Sequence, residues 1–376
     1  MLQELVHAVG MRFWEIANKC ANSNASFAGI LFMVINYLMD DIMNIVRLLL
    51  LTVLALNTAG CGTFIAHSIA RAPNSYPSWL APHAPVTLAF SPKLLTNFVA
   101  HYVDVSPPPA RLCYRVIEPA DYRLEITSTN WVAHHKKQYE FGFKASVPAR
   151  SNAWTSSPRG TVLLLNGYGL AQFSMLPWAL RLSQDGWRSV LVDLRGHGKS
   201  TGRRIYFGIR ETGDMSRLLD ALARDKKLAG PVVVMGESYG AALALRWKTV
   251  EPRVHSVVAI TPYASLSNAV MNICHEYAGW LPKQVIRSGL KKLPSVLRIP
   301  AGELDTTTIL SRKPVTALFV AGGQDKITPV RDVEQLRALA LPESKMIVVP
   351  DATHEALAYY FSDVAPPVLA WLDEEK

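Results

Sequence analysis

From residue 161 onward the chain is punctuated by six short apolar runs, each ending in turn residues: TVLLLNGYG (161–169), SVLVDLRGHG (189–198), VVVMGESYG (232–240), VHSVVAITP (254–262), VTALFVAGG (315–323) and KMIVVPDATH (345–354). Runs so short, apolar at successive rather than alternate positions, predict strands buried on both faces. Between them, MLPWALRLSQDGW (175–187) and TGDMSRLLDALARDKKL (212–228) space their apolar residues as helices do. Strands alternating with helices predict the α/β class, with a mostly parallel central sheet flanked by helices. Ahead of them, RLEITSTNWVAHHKKQYEFGFKAS (123–146) alternates in part and predicts a leading hairpin. In such sheets function gathers beyond the carboxyl ends of the strands.

The first 60 residues have a different pattern. MNIVRLLLLTVLALNTAGC, Met43 to Cys61, places Arg47 before an apolar run from Leu48 to Leu56, then small residues and a cysteine. That run is short for a bilayer span and suits the core of a secretory signal. The ending TAGC resembles the lipobox of bacterial lipoproteins, in which the cysteine, here Cys61, becomes the lipidated first residue; Thr58 stands where an aliphatic residue is usual. A second apolar stretch, SFAGILFMVINYLMDD (26–41), stops at Asp40 and Asp41. Three readings of it stand: an extra membrane-associated segment, a start assigned too early, with Met43 the initiator and 1–60 a leader, or an uncleaved signal anchor. All three put the folded part outside the cytoplasm, in the bacterial cell envelope, with the membrane as a partner through the anchor. Residues 61–110, rich in proline and small side chains, read as a tether, with a helix-like piece near SPKLLTNFVAHYV (91–103). The body is then 111–376.

Composition narrows the classes. Of 376 residues, 49% are hydrophobic and 18% charged, which supports a buried core and excludes a disordered chain. An excess of 39 Lys and Arg over 30 Asp and Glu gives a net charge of +9. Those residues are scattered and form no nucleic-acid motif, and the nearest cluster, RSGLKKLPSVLR (287–298), reads first as a solvated helix face. Of four cysteines, Cys113 and Cys274 lie in the body; two free thiols is the default there, and a disulfide the alternative.

The candidate chemistry sits after the strands. Ser238, bracketed by Gly236 and Gly240, lies between a strand and a helix, where two residues without side chains permit a sharp turn that lifts the hydroxyl clear of the backbone. A serine hydroxyl needs a base; His354 follows the last strand. The base needs an orienting carboxylate; Asp325 follows the preceding strand. Asp193, Asp351 and Asp305 are rivals, but Asp193 sits in a turn where carboxylates usually cap the backbone, and Asp351 is close to His354 in sequence. His197 reads as a structural turn residue, and His134 with His135 as an exposed pair. No metal-ligand spacing stands out, and no cofactor is called for.

The motifs NGYG (166–169), DLRGHGKS (193–200), GESYG (236–240), GGQD (322–325) and His354 together resemble the α/β-hydrolase superfamily, and especially its monoacylglycerol lipase and lysophospholipase-like branch, from about Cys113 to the C-terminus. Asn166 stands where many members have histidine, and Ala241 where glycine is common. The resemblance implies acyl transfer. Ser238 is the nucleophile, His354 the base, Asp325 its partner, and the backbone N–H groups of Tyr168 and Tyr239 form an oxyanion hole, with Gly167 in the supporting turn. It implies a small-molecule ester substrate, lipid-like or of short to medium acyl length. Amide cleavage, acyl transfer to another alcohol, and a non-catalytic envelope binding protein are the alternatives. The insertion at about 263–313 reads as a small helical cap, whose Met271, Tyr277, Trp280 and Leu281 line an acyl pocket or form the cap's own core.

Overall fold

The computed structural model describes residues 58–76, 86–90, 94, 96–133, 136–146, 157–279 and 281–374. The leader up to residue 57, including the apolar segments and Met43, lies outside the described residues, as do His134, His135 and Trp280. In chain order the elements are α1 (Thr58–Ala70), β1 (Val86–Phe90), β2 (His101–Val105), β3 (Ala110–Ile117), β4 (Arg123–Ala133), β5 (Lys136–Ser146), β6 (Thr161–Leu165), α2 (Leu176–Gln184), β7 (Arg188–Asp193) and α3 (Glu211–Arg224). There follow β8 (Val232–Glu237), α4 (Tyr239–Val250), β9 (Val254–Ile260), α5 (Leu266–Tyr277), α6 (Lys283–Leu297), α7 (Thr306–Arg312), β10 (Ala317–Gly322), α8 (Val330–Leu339), β11 (Lys345–Val349) and α9 (Phe361–Glu374).

The central sheet has eight strands in the order β11-β10-β9-β8-β6-β7-β3-β2. The run from β11 to β7 is parallel throughout, and β3 and β2 add an antiparallel edge. The six apolar runs of the sequence are the six parallel strands. Their continuous hydrophobicity has a direct cause from β6 to β10, where successive side chains point to opposite faces and both faces are covered; the edge strand β11 is partly exposed, at Val348 among others. Leu163 and Leu165 of β6 enter one core, with Val232 and Val234 of β8; Val162 and Leu164 enter the other, with Val233 and Met235.

The leading hairpin forms as β4 and β5, but it does not extend the central sheet. With β1 it makes a separate three-stranded sheet, in which β1 is parallel to β5. Tyr139, Phe141 and Phe143 of β5 turn inward, and the Phe141 ring lies 5.2 Å from that of Tyr359. The stretch 61–110, expected as a tether, is more ordered than that: it supplies most of α1, the strand β1 and the sheet-edge strand β2. Its helix-like piece near 91–103 becomes, from His101 on, a strand paired antiparallel with β3.

The insertion between β9 and β10 holds α5, α6 and α7. Of these, α7 packs back on α4 and α8, so α5 and α6 make the cap proper. Cys113 is buried and Cys274 half-buried, and both are free thiols.

Candidate active site

Ser238 stands between β8 and α4 with φ 51° and ψ −107°, a left-handed conformation that a non-glycine residue rarely adopts. The two glycines make it possible. A Cβ at Gly236 would lie 2.3 Å from the carbonyl of Gly240, and one at Gly240 would lie 2.4 Å from the Leu165 carbonyl oxygen of β6. The turn is therefore as tight as the backbone allows, and the serine is held at its apex. Its N–H donates to the Ile260 carbonyl at 2.8 Å, and its own carbonyl accepts from Ala242 at 3.0 Å.

The parallel sheet brings the loops after β8, β10 and β11 to one end. There His354 Nε2 lies 2.9 Å from Ser238 Oγ, and His354 Nδ1 lies 2.8 Å from Asp325 Oδ2. Asp325 is fixed by its own loop: Oδ1 accepts the N–H groups of Ile327 and Thr328 at 2.8 and 2.7 Å, and Oδ2 accepts the Thr328 hydroxyl at 2.8 Å. The Asp325 side chain is wholly buried. Thr328 is a site residue that the sequence reading missed; its position three residues after the aspartate, in a turn, was the available signal.

Burial alone depresses the imidazole of His354, but the Asp325 charge and hydrogen bond, with the Glu355 and Glu237 carboxylates behind them, outweigh it and push the pKa up to about 9. Glu237 is itself buried, directly before the serine, and burial raises its carboxyl to about 7. One of its oxygens, Oε2, has no hydrogen-bond partner among the described residues.

The rival residues have other duties. Asp193 accepts the Gln172 N–H, the Gln172 side-chain amide and the Lys199 N–H at 2.7, 2.7 and 2.9 Å, and so caps a turn. Asp305 accepts the Leu266 N–H at the start of α5, and Asp351 is exposed. His197 is buried, packed on the Tyr239 ring at 5.5 Å, and burial lowers its pKa to about 4. Asn166 ties its own loop together, donating to the carbonyls of Gly167 and Leu170 at 2.9 and 3.0 Å and accepting from the Leu194 N–H at 3.3 Å. That fastening holds the turn carrying Gly167 and Tyr168 without the expected histidine.

Beside Ser238 lies an apolar cavity of about 280 Å³. Tyr168 and Tyr239 both line it, and the Tyr239 N–H opens α4, where a helix has no internal acceptor to offer. Of the cap residues singled out from sequence, Leu281 lines the cavity, whereas Met271 packs on the core and the Tyr277 hydroxyl donates to Glu355. Val285 and Ile286 of α6 and Ile65, Ser68, Ile69 and Tyr76 also face the cavity. None of these was expected.

An esterase of Pyrococcus furiosus superposes with a TM-score of 0.53 over 76% of this chain and 94% of the other, at 18% identity. A second crystal form of that esterase gives 0.53 over 78% and 99%. This chain has the α/β-hydrolase fold. Within that fold, residues 156–316 match the family model described as serine aminopeptidase, S33. An uncharacterised protein of Mycobacterium tuberculosis is 29% identical over 200 residues, 51% of this chain and 62% of that protein. A monoacylglycerol lipase of Mycolicibacterium smegmatis is 26% identical over 133 residues, 35% of this chain and 48% of the lipase. The match thus spans less than two thirds of these relatives' length. Together the fold and the family match support a hydrolase.

Proposed function

We propose that this α/β-hydrolase is a serine esterase that cleaves carboxylic esters of apolar acyl groups through an acyl-enzyme. The observation that carries the reading is the unbroken hydrogen-bonded line from buried Asp325 through His354 to Ser238, which lines an apolar cavity. In this reading Ser238 Oγ attacks the ester carbonyl carbon as His354 Nε2 takes the hydroxyl proton. The oxyanion lies against the N–H groups of Tyr168 and Tyr239, a contact worth on the order of 100- to 1000-fold per donor. Collapse breaks the acyl–oxygen bond, and His354 passes its proton to the leaving alcohol. Water, deprotonated by the same imidazole, then attacks the acyl-enzyme and releases the acid and the free serine.

Asp325 holds Nδ1 protonated and stabilises the imidazolium. The cavity favours substrates resembling monoacylglycerols or lysophospholipids, in line with the likeness to a monoacylglycerol lipase. The lipobox-like TAGC at 58–61 supports an anchored site in the bacterial envelope.

The test is hydrolysis of a p-nitrophenyl ester series by wild type and Ser238→Ala, with fluorophosphonate labelling beside it. Turnover and labelling that both vanish in the variant are expected. Esters left untouched while aminoacyl anilides are cleaved would move the assignment to the amide chemistry that the matched family's description names.

A further inference from the structure

The cavity beside Ser238 has two walls of different origin. One is the cap, with Leu281 and Ile286; the other is α1 and the turn after it, with Ile65, Ile69 and Tyr76. The second wall is fastened on every side. The Ile205 N–H donates to the Ala70 carbonyl at 2.9 Å, the Ala72 N–H to that of Arg203 at 3.1 Å, and the Asn74 N–H to that of Gly196 at 3.0 Å. The Asn74 side-chain amide donates to the Ser200 carbonyl at 2.8 Å.

Toward the cap, Gly289 of α6 has no side chain where one would lie 2.3 Å from Ile65 Cγ2, so Ile65 rests on the α6 backbone. The Arg204 guanidinium then joins α1 to α6, reaching His67 Nδ1 at 3.2 Å and the Val296 carbonyl at 3.4 Å. A spacer that only links an anchor to a body needs none of these fastenings, nor buried Ala66 and Ala70.

The polar groups of this wall are engaged with one another. The Ser68 hydroxyl donates to the Phe64 carbonyl at 3.1 Å, and the Tyr76 hydroxyl to the Ser68 carbonyl at 2.6 Å. What remains facing the cavity is hydrocarbon, and an unpaired polar group of a ligand would be penalised there.

We propose that α1 is the specificity wall of the pocket: through Ile65 and Ile69, it sets the length of linear, saturated acyl chain that fits beside Ser238. The acyl assignment rests on the ester-hydrolase reading; the wall itself rests on the contacts above.

Two readouts separate them. Dansylaminoundecanoic acid, a fatty acid that fluoresces when its chain enters an apolar site, is titrated into wild type, Ile69→Trp and Ile69→Ala, each first checked for cooperative melting. The same proteins are assayed on p-nitrophenyl esters from acetate to decanoate. Ile69→Trp is expected to weaken the probe and to lower the decanoate-to-acetate ratio of kcat/KM, each by roughly tenfold or more, the scale on which pocket shape discriminates hydrocarbon. Ile69→Ala is expected to shift the optimum to longer chains. Probe affinity and chain-length profile identical to wild type in both variants would overturn the proposal, as would no binding of the probe to wild type. Probe binding that depends on residue 69, in a protein that hydrolyses no ester, would leave the wall standing and remove the esterase reading instead.

Discussion

His354 is subject to opposed influences whose balance fixes the working pH. Removal from water disfavours its charged form, and the carboxylates of Asp325, Glu355 and Glu237 favour it strongly enough to bring the pKa up to about 9. The base must be neutral to take the serine proton, so a raised pKa keeps it unavailable to higher pH; kcat/KM should climb with pH through an apparent pKa above the ordinary histidine value of about 6.5. Glu237, whose carboxyl titrates near 7, is ionised where that limb lies. Glu237→Gln removes a buried negative charge that favours the imidazolium, and so the limb should move to lower pH. A pH profile of the variant checks this, and a limb that stays put or moves up contradicts the account. Ser238→Ala should cost roughly 10⁴- to 10⁶-fold in kcat, as loss of a nucleophile does elsewhere, measured against background hydrolysis.

The turn between β8 and α4 is the element on which the site depends, and its glycines can be told apart by what surrounds them. A methyl at Gly240 would be driven to 2.4 Å from a backbone oxygen of the neighbouring strand β6, an atom that cannot swing away. Gly240→Ala should therefore lower stability by about 1–3 kcal/mol, the range for overpacked interiors. It should also displace Ser238 from His354, with a loss of activity larger than the loss of fold. Gly213, in the first turn of α3, is the contrast: the nearest atom to a new Cβ there is a guanidinium nitrogen at 3.7 Å. Gly213→Ala should raise stability by about 0.4–1 kcal/mol through the unfolded chain's lost freedom. Thermal or urea melts of the pair read both signs.

These elements were readable in the sequence because each rests on residues adjacent in the chain: the apolar runs, the bracketing glycines, and a serine, an aspartate and a histidine each on a loop directly after a strand. The hairpin β4–β5 was readable as a hairpin for the same reason. Its departure from the central sheet was not, because that depends on pairing with β1, which lies more than thirty residues away in the chain.

The same distinction holds across the whole molecule. Proline and small residues in 61–110 have the composition of a tether, and only contacts distant in sequence, such as Ile65 against Gly289 over 200 positions away, bring this stretch to the pocket it helps to line. The cap residues stayed undecided in the sequence for the same reason, since Met271 and Leu281 have equal claim until the partners of each are known.

The proposed lipid at Cys61 then has a consequence for the entire protein. Gly62, the next residue, already packs against the Ser288 backbone of the cap helix α6, where a Cβ would lie 3.1 Å from the carbonyl oxygen. Acyl chains on the preceding cysteine would keep the protein at the lipid surface from which an ester substrate comes. One acyl chain binds a membrane only marginally and two hold it firmly, so a diacylated Cys61 should keep the protein in the membrane fraction through salt and carbonate washes. Cys61→Ser should release it, with turnover of a water-soluble ester retained and turnover of a vesicle-borne ester reduced. Mass spectrometry of the mature N-terminus provides the decisive reading: a diacylated cysteine supports the anchor, and an unmodified Met1 or Met43 on the purified chain removes it.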